Sequence, residues 1–148
     1  MKITVASEHA GADYRIRLGE WLTNQGIAVN EISETADIVG YPAVAEAAAL
    51  SVVRGDCDLA IVICGTGIGV SMAAGKVPGT RVALCADTYM GRMAKEHNNA
   101  NVLAFGSRVI GFENMLDIIT AFLDTEYESG RHEARLVSLA EVEHRYLK

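Results

Sequence analysis

No apolar run in this sequence approaches the about 20 residues that a bilayer-crossing helix requires; the longest, such as Leu59–Cys64, are far shorter. No basic segment leads into an apolar one at the N-terminus, so no signal peptide is expected. Cysteine is scarce. Cys57, Cys64 and Cys85 show no CxxC spacing and fit neither a disulfide framework nor a zinc site. Positive charge is in deficit, with 13 basic against 19 acidic residues and a net charge of −6, which argues against a nucleic-acid or anionic-membrane surface. Internal repeats, low-complexity tracts and linkers are also missing. What the chain does have is material for a core: half of its 148 residues are hydrophobic and 22% are charged, unlike a disordered chain. The length suits one domain, residues 1–148, and a soluble cytoplasmic protein is the expectation.

Apolar runs alternate with helical patterns from the first residue. Ile3–Ala6 reads as a strand; Tyr14, Leu18, Trp21 and Leu22 then follow the spacing of one helix face, which Gly26 closes. Ile27–Ile32 reads as a second strand, and Ala43–Val53 as an Ala-rich helix with Pro42 suited to its first turn. Asp58–Cys64 is almost wholly apolar, as befits a strand covered on both faces. A glycine-rich turn and a short helix near Val70–Ala74 follow, then a strand at Arg81–Cys85, a helix at Tyr89–Glu96 and a strand at Val102–Phe105. Helices at Glu113–Leu123 and Ala134–Tyr146 flank a polar break at Glu126–His132. This alternation predicts an α/β fold: a doubly wound, parallel five-stranded sheet with helices on both faces, a three-layer sandwich. The last helix, about 134–147, packs on the core or reaches over a partner subunit. Ligands in such sheets bind beyond the carboxyl ends of the strands, which here carry Ser7-Glu8-His9, Cys64–Gly69, Cys85-Ala86-Asp87 and Gly106-Ser107-Arg108.

The densest motif is Cys64-Gly65-Thr66-Gly67-Ile68-Gly69, directly after the most apolar strand. Alternating glycines let the backbone turn sharply and approach a ligand, and the following helix directs N–H groups and its positive dipole end at the loop. This suits an anion. The motif is neither a dinucleotide fingerprint, since Val70 replaces the third small residue, nor a P-loop, since Val77 follows Gly75-Lys76. It also reads as a plain glycine turn with a buried cysteine. A thiol in front of a helix is favoured as thiolate, so Cys64 could serve as nucleophile or base, whereas Cys57 and Cys85 read as structural. His9 and His97 sit in loops assigned to the ligand edge of the sheet; the alternative for each is a surface or packing histidine. Arg131 and Arg135, at i, i+4 spacing around His132, suit a phosphate or a solvated helix start.

Taken together, the segments Ser7-Glu8-His9-Ala10-Gly11, Tyr41-Pro42, Ile63–Gly69, Glu96–Val102, Gly106–Gly111 and Gly130-Arg131-His132 resemble the ribose-5-phosphate isomerase B family, which includes the galactose-6-phosphate isomerase subunits. They span nearly the whole chain in the family's order. The resemblance implies a Rossmann-like aldose–ketose isomerase of phosphorylated sugars that works without metal or nucleotide, as a homodimer or homotetramer with sites at the subunit interface. It implies Cys64 as the base moving a proton between C1 and C2, assisted by Thr66, with His97 opening the sugar ring. N–H groups of Gly65, Gly67 and Gly69 would stabilise the enediolate. His9, Arg108, Arg131 and Arg135 would hold the phosphate, and Glu8, Tyr41 and Asn98 would line the sugar site.

Two positions depart from the family's usual pattern: Glu8 stands where Asp is usual, and Gly40 where Asp commonly precedes Tyr-Pro. The extra methylene of Glu8 extends its carboxylate by roughly 1.3 Å. A shorter substrate such as erythrose or erythrulose 4-phosphate is therefore favoured, with ribose 5-phosphate/ribulose 5-phosphate as the alternative and six-carbon sugars disfavoured by crowding. A reading from another class is a non-catalytic sugar-phosphate sensor on the same fold. Intact Cys64, Thr66 and His97 argue against it, because a pure binder needs no base.

Overall fold

The computed structural model describes residues 1–147; Lys148, the last residue of the expected domain, lies outside the described residues. Five strands, β1 (Lys2–Ser7), β2 (Ala28–Ser33), β3 (Leu59–Cys64), β4 (Val82–Leu84) and β5 (Val102–Gly106), form one sheet in the order β2-β1-β3-β5-β4, with every pairing parallel. Helices α1 (Ala12–Asn24), α2 (Gly40–Val53), α3 (Ile68–Ala74), α4 (Thr88–Glu96), α5 (Phe112–Leu123) and α6 (Arg131–Tyr146) alternate with them, and a 3-10 turn at His9–Gly11 leads into α1. The expected elements are all present. No described helix is long and apolar enough to cross a membrane.

The sheet is covered on both faces, and the period-2 alternation of the central strand decides what goes where. Leu59, Ile61 and Ile63 face a cluster with Leu18 and Leu22 of α1, Ala94 of α4 and Met115, Ile118, Ile119 and Phe122 of α5. Ala60, Val62 and Cys64 face the other layer, with Val44, Ala45, Ala48 and Ala49 of α2 and Val70 and Ala74 of α3. That second layer is lined mostly by alanine and valine, so its helices pack close to the sheet. Cys64 thus ends its strand pointing toward α2 and α3.

The differences from sequence expectation fall at element ends. Helix α2 starts at Gly40 rather than Ala43, because Gly40 adopts a left-handed φ of +76° and Pro42 then sits inside the first turn. Helix α3 starts at Ile68 rather than Val70, and α6 at Arg131 rather than Ala134, so Arg131 and His132 belong to a helix and not to the polar break. Strand β4 keeps only Val82–Leu84 of the expected Arg81–Cys85. Like β2 at the other side of the sheet, it is an edge strand, paired on one side alone.

Chain order and strand order part company between β1 and β3: the chain runs from β1 outward to β2, then returns to place β3 on the other side of β1. A crevice opens at the carboxyl ends of strands at such a reversal. Helix α6 stands apart from the three layers, and of its 16 residues His132 alone is buried. Ile61 is completely buried at the middle of the central strand. Ile61→Ala should cost about 3 kcal/mol of stability, seen as a lower urea midpoint at an unchanged m-value.

Candidate active site

Three loops meet at the carboxyl edge, and glycine allows them to touch. A Cβ on Gly106, the last residue of β5, would stand 2.5 Å from the carbonyl carbon and oxygen of Thr66. One on Gly11 would stand 2.7 Å from the Ile63 carbonyl oxygen. Gly67 combines a φ of +79° with backbone of Phe105 2.8 Å from where its Cβ would be. Hydrogen bonds tie the same contacts: Ser107 N–H donates to the Cys64 carbonyl at 2.9 Å, Arg108 N–H to the Gly65 carbonyl at 3.0 Å, and the Ser107 hydroxyl to the Ala10 carbonyl at 2.7 Å.

Cys64 occupies the centre of this junction, only 7% exposed, with its Sγ accepting the Gly67 N–H at 3.2 Å. Thr66, exposed on the loop, accepts the Ile68 N–H through Oγ1 at 3.3 Å. Two side chains close over the loop. The Arg108 guanidinium lies above Gly65, where a Cβ would be 3.4 Å from Nη1, and the Tyr41 ring lies against Gly69, where a Cβ would be 2.9 Å from the ring. The result is a sulfur, a cation and a phenol around one glycine turn. Cys57 and Cys85 take no part: Cys57 Sγ lies 3.1 Å from the Ser51 hydroxyl in the core, and burial, with the nearby Asp87 charge, pushes the Cys85 thiol up to about 11.

Beside the loop, Glu8 turns back on its own backbone. One carboxylate oxygen caps the 3-10 turn by accepting the Ala10 N–H at 2.9 Å, and the other lies 2.8 Å from His9 Nδ1. Glu34, at the end of β2, was not singled out in the sequence. Its Oε2 accepts the His9 N–H at 3.0 Å and its Oε1 the Gly40 N–H at 2.9 Å. The Gly40 bond above all, together with the N–H and imidazole of His9, outweighs desolvation and holds the Glu34 carboxyl below its ordinary value. The available signal was positional: an acidic residue just past the carboxyl end of a strand next to the reversal.

His97 corrects the sequence reading. It was placed at the ligand edge, but it ends α4, which runs back down the sheet for nine residues, about 13 Å at 1.5 Å per residue. Asn99 and Asn101 just beyond it bond Arg81, the residue before β4, so this segment lies at the amino edge, away from Cys64. Asn98 lies in the same segment, and Arg131 and Arg135 start the helix that packs there. The His97 and His132 rings stack at 4.2 Å, with Glu128 Oε2 3.4 Å from His132 Nε2 and 4.0 Å from His97 Nε2. Arg131 Nε donates to His132 Nε2 at 3.3 Å. His97, Glu128 and His132 could in principle ligate a metal, but the near-parallel rings, 15° apart, do not aim their in-plane lone pairs at one ion.

An open parallel sheet with a cysteine–glycine loop at its point of reversal defines the class of molecule, and comparison with known proteins narrows it. Residues 3–139 match the family described as Ribose/Galactose Isomerase. The chain is 37% identical to ribose-5-phosphate isomerase B of Escherichia coli, over 97% of each chain. It is 36% identical to D-erythrulose-4-phosphate isomerase of Pectobacterium atrosepticum, over 97% of this chain and 96% of that one. The solved structure of ribose-5-phosphate isomerase B from Clostridium thermocellum superimposes with a TM-score of 0.95 at 42% identity, over 99% of this chain and all of that one. The chain belongs to this ribose/galactose family of isomerases.

Gly106→Ala should displace the Thr66 carbonyl and the loop behind it. A misplacement near 1 Å lowers kcat/KM on the order of 100-fold, and a thermal melt run alongside should show a lower midpoint.

Proposed function

We propose that this chain is a cytoplasmic aldose–ketose isomerase of a phosphorylated sugar in which Cys64 is the base. The observation that carries the reading is the meeting of the Cys64 sulfur, the glycine turn and Arg108 at the reversal of the sheet. Removing a proton beside a carbonyl leaves a cis-enediolate whose developing charge requires donors already in position. In the turn, the Gly67 N–H is given to the Cys64 sulfur and the Ile68 N–H to Thr66, so the backbone N–H groups of Gly65 and Gly69 supply them, and Thr66 assists at the adjacent oxygen. The thiolate of Cys64 takes the proton from one carbon and returns it to the next. Phosphate held by His9, Arg108, Arg131 and Arg135 gives binding energy remote from the reacting carbons and fixes them against the sulfur. Tyr41 and Asn98 line the sugar.

The favoured substrate pair is erythrose 4-phosphate and erythrulose 4-phosphate. Glu8, 8% exposed beside His9, carries one methylene more than the aspartate usual at this position, and that added bulk is the ground for favouring the shorter sugar. A relative at 36% identity carries the corresponding name. The second reading is ribose 5-phosphate/ribulose 5-phosphate, favoured by two observations. The Glu8 carboxylate is folded onto Ala10 and His9, and His97 is held in an ordered stack suited to opening a sugar ring. Erythrose 4-phosphate has its O4 esterified and cannot close a furanose ring, so it needs no such opening.

Two copies are required for the full constellation, because His97, Asn98, Arg131 and Arg135 lie at the edge opposite Cys64. A twofold, self-complementary homodimer would bring one copy's amino edge onto the other's carboxyl edge. Supporting it, α6 exposes Val137, Leu139, Val142 and Tyr146, and a groove of about 1040 Å³ between α6 and the β4 edge is lined by Met72, Leu84, Met90 and Leu139. Ile68 and Tyr89 add exposed apolar surface at the carboxyl edge.

A substrate panel decides between the sugars: kcat/KM should be higher for erythrose 4-phosphate than for ribose 5-phosphate, and a tenfold preference for the five-carbon sugar establishes the second reading. No turnover of any sugar phosphate would leave the sensor. Cys64→Ala, which lacks the base, and the double variant Arg131→Ala with Arg135→Ala, which lacks half of the phosphate anchor, should each be nearly inactive alone. Mixed and re-equilibrated in equal amounts, they should recover about a quarter of wild-type activity, since half the dimers are mixed and each has one intact site. No recovery would mean that each chain builds its own site.

A further inference from the structure

The cluster around His9 contains a carboxylate to which the proposed chemistry assigns no task. We propose that Glu34 is a positioning residue: it holds the loop bearing His9 and the loop bearing Tyr41 at a fixed spacing, and so sets the affinity for the phosphorylated substrate. The inference rests on the isomerase reading only in naming that substrate.

Each oxygen of Glu34 serves a different loop. Oε2 takes the N–H of His9, the first residue of the turn after β1, and Oε1 takes the N–H of Gly40, the first residue of α2. The connection 34–39 between these points is largely solvent-exposed and is otherwise folded on itself, with the Thr35 N–H on the Ile38 carbonyl at 2.9 Å and the Ile38 N–H on Thr35 Oγ1 at 3.1 Å. Gly40 reaches the carboxylate through its left-handed φ of +76°. Tyr41 follows at once, with its ring against Gly69 in the cysteine loop. On the other side, His9 Nδ1 lies between Glu8 Oε2 at 2.8 Å and Glu34 Oε2 at 3.6 Å, which leaves Nε2 directed away from both carboxylates. One side chain therefore governs both the phenol above the loop and the imidazole beside it.

Only a carboxylate fits this position. An amide of the same length has one accepting oxygen, and its NH₂ would face the second N–H. Bonds from N–H groups to a charged acceptor are also stronger than those to a neutral one. Charge alone predicts the opposite effect: an anion near the phosphate anchor repels phosphate, so neutralising it would tighten binding. Positioning and repulsion thus differ in sign.

Glu34→Gln and Glu34→Ala are compared with the wild type by steady-state kinetics on the sugar phosphate that the wild type turns over, and by calorimetric titration of inorganic phosphate. KM should rise about tenfold, the loss expected for one charged hydrogen bond. The phosphate dissociation constant should rise with it and kcat stay within about twofold, with melting curves close to wild type because the side chain is partly exposed. An unchanged KM, a fall in kcat at constant KM, or tighter phosphate binding would overturn the proposal. Wild-type protein that turns over no sugar phosphate would remove the isomerase reading instead, and the phosphate titration would still decide the role of Glu34.

Discussion

The structure turns on the contact of β5 and the 3-10 turn with the backbone of the cysteine loop. Gly106, Gly11 and Gly67 admit main chain where any Cβ would collide, and the hydrogen bonds of Ser107 and Arg108 hold the junction closed. Everything at the carboxyl edge inherits its position from this. Cys64 is nearly buried yet at the mouth of a turn, Arg108 is laid across Gly65, and Tyr41 rests on Gly69 because no side chain stands between. A site supported from strand ends in this way is more precise than one carried on free loops. Its geometry is a property of the sheet.

The fold was readable because its signals are local. The wholly apolar Leu59–Cys64, the alternating helices and the short links leave little choice but a parallel sheet with both faces covered. Element ends are less legible where special backbone decides them: Gly40 in a left-handed conformation starts α2 early. At the candidate site, the residues after β1, β3 and β5 come together at the carboxyl edge, where the strand ends place them. His97 was misassigned because a loop in sequence carries no label for the edge of the sheet it joins; that depends on α4 running antiparallel to its strands. Glu34 escaped notice for another reason. Its importance lies in two backbone donors 25 and 6 residues away, and no spacing rule connects them.

The separation of functional groups between two edges has a physical logic. The carboxyl edge offers backbone N–H groups, a sulfur and one arginine; the amino edge offers stacked imidazoles and two further arginines. In a single copy the second set is far from the first. Keeping the histidine pair with its own carboxylate, Glu128, also keeps its ring orientation independent of the thiol chemistry. In the proposed homodimer the two edges would be rigid before they meet, so little ordering would be left to the moment of encounter.

Helix α6 carries a thermodynamic corollary. Its ties to its own chain are mainly polar, among them the Glu143 carboxylate on the Gly79 N–H at 3.0 Å and the Tyr127 hydroxyl on Glu133 at 2.9 Å. Sixteen residues with one buried side chain are close to the length at which solitary helices are marginal in water. In the proposed homodimer its order would depend on mass action: dilution would fray the C-terminal segment while the sheet beneath it stays intact.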